Sequence, residues 1–489
     1  MNVIQEDRPS SLIWTHRQAW ELAQRIRQKE VTSMEVVQAH LNHIKQQNPQ
    51  IKAVSVLAAE EALASARQAD QELSSGNSEI GPLYGVPITL KDHAIVKGMR
   101  TTQGLPQYWN YRPSKDCELV ARLRRAGAII LGRTNVPFGC YDWNCRNPIY
   151  PETVNPWNPT KTPGGSSGGA AAAIATGMTP LDMGSDLAGS IRLPAHCCGI
   201  FGLRTTDGLL PMNDVDPEDF PPSPSLLTVC GPMGRSIADL QLMLSVLASD
   251  QRQDELPVPK KLRIAHTHTI LDITANEPTQ EAIEFFLNKL SKDGHTVTKN
   301  CRPEVDMAEC FELWAIIKGH LATISLPKLM LTEPFNSILL FYVLQMRMGG
   351  GWIAKKLRKG FHSSEQDFQT ALERLKEIRD QVTKFYDQYD LWMLPNMPGP
   401  AFERTRMNWN FKIDGQKVSY GTYNGTYHCT TALMGTPGLT VPIGFTEGLP
   451  LSLQVHSKAF SDFWLLKVAE QHLEPHADIR WPTGFGPSK

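Results

Sequence analysis

The residues of chemical interest are serines set among glycines. From Thr162 to Arg204 the chain reads TPGGSSGGAAAAIATGMTPLDMGSDLAGSIRLPAHCCGIFGLR. Gly164, Gly165, Gly168 and Gly169 bracket Ser166 and Ser167, and a second Gly/Ser turn ends in Ser190. Glycines this dense let backbone approach backbone and adopt dihedrals that side chains forbid. A serine hydroxyl there could act as a nucleophile if a base removed its proton. Taken alone, GGSSGG is the composition of a spacer. Its flanks argue otherwise, because Ile174, Met178, Leu181, Met183, Leu187, Ile191, Leu193, Ile200 and Phe201 are too apolar for a solvated linker. The small-residue run from Ala170 to Ala175 suits a helix packed tightly on another element. Two serine-bearing turns joined by one buried helix bring both hydroxyls to the same end of it, which is a catalytic arrangement. GSDLAGS lacks the strand-Gly-x-Ser-x-Gly form of a nucleophile elbow.

The elements that must hold these turns can be read around them. In Pro82–Val96, alternation of Val86, Ile88 and Leu90 predicts a half-buried strand ending at Lys91. Position alone reads that lysine as a surface charge. Cys117–Ala126 predicts an amphipathic helix, and AIILGRTNVPF from Ala128 a buried strand. This alternation of helix and strand indicates an α/β fold. Helices are predicted over Thr15–Lys29 and Ser33–Gln47, the second capped by Thr32 or Ser33 and closed by Pro49. His16, His40 and His43 fall on mostly polar faces of these helices and read as solvated. Cys140–Thr162 reads as a loop in which Tyr141, Trp143 and Trp157 either line a pocket or pack the loop down. An acid- and proline-rich loop follows over Asn213–Ser225, and helices broken by Pro327, Pro334 and glycines span 301–365. Gln366–Tyr386 reads as a charged amphipathic helix and YDLWMLPNMPGPA as a return to the sheet.

Composition narrows the class. The 489 residues carry 49 basic and 50 acidic side chains, a formal net charge of -1, so no electrostatic footprint for nucleic acid is visible. Nine scattered cysteines, without paired metal-ligand spacing, read as free thiols in a reducing compartment. The N-terminus lacks the pattern of a secretory signal, and no run reaches the ~20 apolar residues of a membrane span. The expected location is cytoplasmic.

Three blocks carry a family resemblance: Gly164–Gly169, Gly184–Pro194 and Cys198–Arg204, preceded by GVPITLKD at Gly85–Asp92. In this order they resemble the amidase signature family, and the resemblance runs from about Leu12 towards the C-terminus, weakening between 255 and 385. It implies one large α/β domain over 1–489 with a central mixed β-sheet sandwiched by helices. Within it, 1–75 would be N-terminal helices, 76–250 the signature core, 251–385 a variable insertion and 386–489 the return to the sheet. TTALMGTPGLTVPIG and GLPLSLQV resemble the family's closing strands, before a last helix over Asp462–Leu473. By the same resemblance Ser190 is the nucleophile, Ser166 the bridging residue after a cis peptide bond, and Lys91 the base, one of the Ser-Lys solutions to acyl transfer. Lys91 must then be neutral, with its pKa lowered by an apolar site. Backbone N–H groups of Leu187, Ala188, Gly189 and Ser190 would form the oxyanion hole. Ser167, Asp186 and Arg192 would be structural support, and His93 and His196 have no assigned role. The commonest family pattern has two glycines before the nucleophile; here they are Ala188 and Gly189, and the extra methyl is expected to narrow the acyl pocket.

The implied activity is hydrolysis of a carboxylic amide C–N bond through an acyl-enzyme, acting on a small-molecule amide, with no cofactor, no metal and no nucleic-acid partner. A biosynthetic acyl-transfer enzyme and a glutamine-dependent amidotransferase A-type subunit stand as alternatives, as does a non-enzymatic scaffold. The TTDGLLPMNDVDPEDFPP run after Arg204 departs from the pattern usual in the amidotransferases. Residues 329–360 are read as covering the pocket, with membrane contact as the alternative, and a homodimer is compatible with the sequence.

Overall fold

The computed structural model describes residues 12–76, 80–212, 226–251, 256–325, 351–404 and 411–487. The predicted loop over Asn213–Ser225, the breaks at Pro327 and Pro334 and most of 329–360 lie outside the described residues.

Strands form wherever short apolar runs with β-branched residues sit between turn signals. In chain order they are β1 (Val54–Leu57), β2 (Pro87–Lys91), β3 (Ile129–Thr134), β4 (Leu181–Asp186), β5 (Phe201–Arg204), β6 (Val229–Gly234), β7 (Arg263–His266), β8 (Thr269–Ile270), β9 (Ile273–Thr274), β10 (Thr296–Lys299), β11 (Leu391–Pro395), β12 (Phe411–Ile413), β13 (Gln416–Val418), β14 (Gly438–Thr446) and β15 (Leu449–His456). Eleven of them make one sheet in the order β1-β3-β2-β4-β6-β5-β14-β15-β11-β7-β10, while β8/β9 and β12/β13 are separate hairpins. β3, β2 and β4 run parallel, as do β11, β7 and β10, and the strands between are antiparallel. This is the mixed α/β sheet expected.

Side chains alternate across a strand, and here both faces are covered. On β3, Ile130 joins one apolar core while Ile129 and Leu131 join another. On β11, Leu391 and Met393 face the first core, and Trp392 and Leu394 a third. Helices Glu118–Arg125, Ile237–Leu247 and Glu277–Lys292 contribute to the first core; Gly168–Ala175, Arg192–Cys198 and Tyr420–Met434 cover the opposite face.

Several local expectations are corrected by this two-sided burial. β2 is buried along its whole length rather than half-buried. The residues between its apolar positions face a polar interior, where Thr89 Oγ1 donates to Asp182 at 2.6 Å, and Lys91 is buried rather than a surface charge. His40 and His43 are also buried, with ring nitrogens bonded to Val36 O at 2.9 Å and Thr176 O at 2.7 Å. The cause is that helix Ser33–Ile51 is enclosed on more than its apolar stripe, so a polar residue there must find its partner inside the protein. Pro49 does not stop that helix, which continues to Ile51 and ends at Lys52 with φ +59. Pro49 is on the exposed side, so the carbonyl it fails to bond can turn to water. Thr32 caps the helix in a reciprocal capping box with Glu35. The first predicted helix is shorter, Ala19–Arg27, with a separate turn of helix Leu12–Thr15 ahead of it, and Thr430–Met434 of the expected closing strand belongs to helix Tyr420–Met434.

Two elements hold the serine turns in place. Helix Gly168–Ala175 is buried on every face, since small side chains let neighbours approach all round. From the insertion, helix Met307–Ser325 packs on Tyr420–Met434 and crosses helix Gly351–Phe361 so closely that a Cβ on Gly360 would lie 2.0 Å from Ala315 O. Overfilling the first of these should be costly. Ala172→Leu is expected to lower unfolding free energy by about 1–3 kcal/mol, the usual range for forcing methylenes into a packed core, as read by urea denaturation.

Candidate active site

Lys91 ends β2 and Asp186 ends the neighbouring parallel strand β4, so the sheet delivers both to one edge. Lys91 Nζ lies 2.6 Å from Ser166 Oγ, 2.8 Å from Ser185 Oγ and 3.4 Å from Ser185 O. Among the described residues no carboxylate hydrogen-bonds to it. Burial pushes its pKa below the ordinary lysine value, against weaker opposing contributions from nearby cysteines and Asp186. The Gly165–Ser166 peptide bond is cis.

The turn carrying Ser190 is organised by one carboxylate. Asp186 accepts the backbone N–H of Gly189 at 2.9 Å, of Ile191 at 3.1 Å and of Arg192 at 3.3 Å, so it gathers the residues on both sides of Ser190. The Arg192 guanidinium adds two bonds of 3.0 Å to it, and Arg204 Nε stands 3.7 Å away. Burial alone would raise the Asp186 pKa, but the two guanidinium charges and their hydrogen bonds prevail and hold it far below the usual carboxylate value. Ser167 ties the two serine turns together, its N–H donating to Ser190 O at 3.1 Å. Ser167, Asp186 and Arg192, expected as structural support, make the contacts just described.

Leu187 and Ala188 present their carbonyls to two tryptophans. Trp314 Nε1–H donates to Leu187 O at 3.3 Å, and Trp143 Nε1–H donates to Ala188 O at 2.8 Å. Because a trans peptide is planar with N–H and C=O opposed, each bond aims the following N–H away from its tryptophan. The N–H of Ala188 is aimed by Trp314 in this way, and that of Gly189, aimed by Trp143, meets Asp186. The Gly189 N–H is thus already engaged, unlike the open donor foreseen for an oxyanion hole. Gly189 has φ +93, and a Cβ there would fall 2.4 Å from His428 Cγ, so this position requires glycine. Ala188 stays out of the left-handed region.

Sequence reasoning missed Ser185, Trp314 and His428. Ser185 stood in view as the hydroxyl position of the Gly-Ser-Asp triplet. Trp314 sits in the divergent insertion, where no motif marks it. His428 is buried, bonded to Asn424 O and Asn396 Oδ1 at 2.8 Å each, and burial lowers its pKa to about 3. His196 is likewise locked between Ser452 Oγ at 2.8 Å and Gly399 O at 3.2 Å, its pKa lowered by burial to about 4. Trp157 serves the loop itself, donating to Cys198 O at 2.9 Å and lying against Phe445.

A large mixed sheet with helices on both faces is the architecture of the amidase signature structures. A crystal structure of an amidase superposes with TM-score 0.78 at 24% identity, covering 94% of this chain and all of that one. The family model for amidases matches residues 35–466, and the chain belongs to that family. It is 28% identical over 479 residues to an indoleacetamide hydrolase of Bradyrhizobium diazoefficiens, covering 94% of this chain and 86% of the relative. It is 31% identical over 472 residues to the A-type subunit of a glutamyl-tRNA(Gln) amidotransferase from Roseiflexus castenholzii, covering 91% and 92%.

The tryptophan contacts can be tested directly. Trp314→Phe keeps an aromatic ring at the site but removes the Nε1–H donor to Leu187 O with the rest of the pyrrole ring; the lost neutral hydrogen bond alone is worth about 0.5–1.5 kcal/mol. We expect kcat on an amide substrate to fall about 3- to 10-fold with the melting temperature little changed. An unaltered kcat would show that the Leu187 carbonyl needs no such anchor.

Proposed function

We propose that the protein hydrolyses a carboxylic amide through an acyl-enzyme on Ser190. The observation that carries this reading is the buried Lys91 amine, 2.6 Å from Ser166 Oγ, with no carboxylate hydrogen-bonded to it among the described residues. In its neutral form Nζ has two N–H donors for Ser185 Oγ and Ser185 O, and one lone pair to accept the Ser166 O–H. Ser166 can then take the Ser190 proton while passing its own to Lys91. Ser190 Oγ attacks the acyl carbon, and the resulting oxyanion is held by backbone N–H groups of the 187–190 turn. Ala188 is the donor best placed by the Trp314 contact, and the Gly189 N–H would have to be shared with Asp186. Protonated Lys91 returns the proton through Ser166 to the departing amine. Water, deprotonated by the same relay, cleaves the ester and releases the acid.

Amidotransferase A-type relatives near 30% identity keep a second reading open, in which glutamine is the amide and ammonia passes to a partner. The hydrolase reading expects the isolated chain to turn over simple amides to acid and amine. Exposure to a mixed amide library followed by mass spectrometry should leave an acyl increment on Ser190, and Ser190→Ala should abolish both adduct and turnover without unfolding. Adduct formation on any other residue would sink this assignment.

The base assignment has its own test. Since Lys91 acts only when neutral and burial lowers its pKa, kcat/KM should rise with pH through a limb below the ordinary lysine value of about 10.4. Lys91→Arg should lose that limb and most of the activity, because guanidinium stays charged and cannot accept the proton. An arginine variant near wild type with the same limb would remove Lys91 from the role.

A further inference from the structure

A second cluster of chemistry lies where β7 leaves the sheet. His266 ends the strand and His268 follows two residues on; their ring centroids are 4.2 Å apart and the planes almost perpendicular. Glu284 reaches them from helix Glu277–Lys292. One nitrogen of each imidazole and one oxygen of the carboxylate lie within 4.8 Å of one another. None of these residues belongs to the group around Lys91, and sixteen residues separate His268 from Glu284, so no short motif marks them.

The hydrogen bonds around the rings show which atoms are left over. A carbonyl only accepts, so the 2.9 Å contact with Met393 O is made by a protonated Nδ1 of His266. A neutral ring then presents Nε2 as a lone pair, and that nitrogen is buried with no hydrogen-bond partner. His268 meets Glu284 Oε1 through Nε2 at 2.9 Å, leaving Nδ1 buried and equally unpartnered. A buried polar atom left unsatisfied is destabilising, and two such atoms stand here on neighbouring rings. What such atoms lack is an acceptor for their electron pairs. A backbone carbonyl on the far nitrogen of a ligating histidine is the arrangement that fixes ring and tautomer in metal sites. Two imidazoles and one carboxylate suit zinc and similar divalent ions, with water completing the shell.

We propose that His266, His268 and Glu284 bind a divalent transition-metal ion of the zinc class. His266, fully buried and held by Met393, is the fixed ligand. His268 and Glu284 are partly exposed; the carboxylate gives up its bond to His268 Nε2 as both close onto the ion, bringing their donors to the ~2.0–2.2 Å of zinc coordination. Lys299 Nζ sits 2.5 Å from Glu284 Oε2 and competes with the ion; its side chain is 55% exposed, so it can swing into solvent. The site is anchored to the main fold through Tyr427, whose hydroxyl donates to His268 O at 2.9 Å.

The test uses the full-length chain, stripped with chelator and titrated with Co²⁺ by absorption and with Zn²⁺ by calorimetry. One equivalent should bind, with a cobalt spectrum of nitrogen and oxygen ligation. His268→Gln and Glu284→Gln should each weaken binding by about 10-fold or more. Lys299→Met should tighten it by removing a like charge. If His268→Gln does not fold, the changes at partly exposed Glu284 (Glu284→Gln) and exposed Lys299 (Lys299→Met) carry the comparison. No uptake at micromolar metal, a thiolate-to-cobalt charge-transfer band, or affinity unchanged by the Glu284 and Lys299 substitutions would each overturn the proposal.

Discussion

The buried Asp186 carboxylate is the interaction on which the rest of the site hangs. It is an ion in the interior, and such a charge persists only when paired and fully hydrogen-bonded. Arg192 and Arg204 supply the charge, and three backbone N–H groups take up the remaining lone pairs. Removing one partner from a buried pair typically costs about 3–5 kcal/mol, so the turn around Ser190 has one conformation to adopt. The same guanidinium reaches out of the turn: Arg192 Nη1 donates to Thr431 Oγ1 at 2.6 Å and to Gln454 Oε1 at 2.8 Å. One ion pair therefore joins the Ser190 turn to helix Tyr420–Met434 and to β15.

Lys91 illustrates the opposite use of burial. Asp186 is kept charged by neighbours that outweigh desolvation, whereas Lys91 has hydroxyls and a carbonyl around it and desolvation prevails. The two groups end adjacent parallel strands, yet the protein drives their titrations in directions that suit different tasks: a permanent anion as scaffold and an amine able to stay neutral. Two tryptophans complete the scaffold from other parts of the chain, each fixing one carbonyl of the loop.

Much of this was legible in residue types. The glycines around Ser166, the small-residue helix and the strand ending at Lys91 follow from local sterics and periodicity, and the motif order supplied the family and the sheet. What escaped reading was set by tertiary enclosure. The alternation in β2 reads as one wet face, but its second face meets Asp182 and Ser166 rather than water. His40 and His43 look polar on a helical wheel, and only the neighbouring layers make them interior residues. Trp314 contacts Leu187 across 127 positions, a relation that no local pattern encodes. Pro49 shows that a strong local signal yields when the bond it forfeits lies on the solvent side.

The reach of Arg192 has a consequence for synthesis. The glycine–serine turns, Lys91 and Asp186 all lie before residue 205, yet Thr431 and Gln454, which hold the other side of the guanidinium, lie 239 and 262 residues after Arg192. The central sheet is equally split, since β5 finds its neighbour β14 only across the whole insertion. A nascent chain emerges from its N-terminus onwards. One not yet extended to Thr431 thus carries every proposed reactive group without the partners that hold the far side of Arg192. The Ser190 turn therefore gains its full set of contacts only after helix Tyr420–Met434 and β15 have been made.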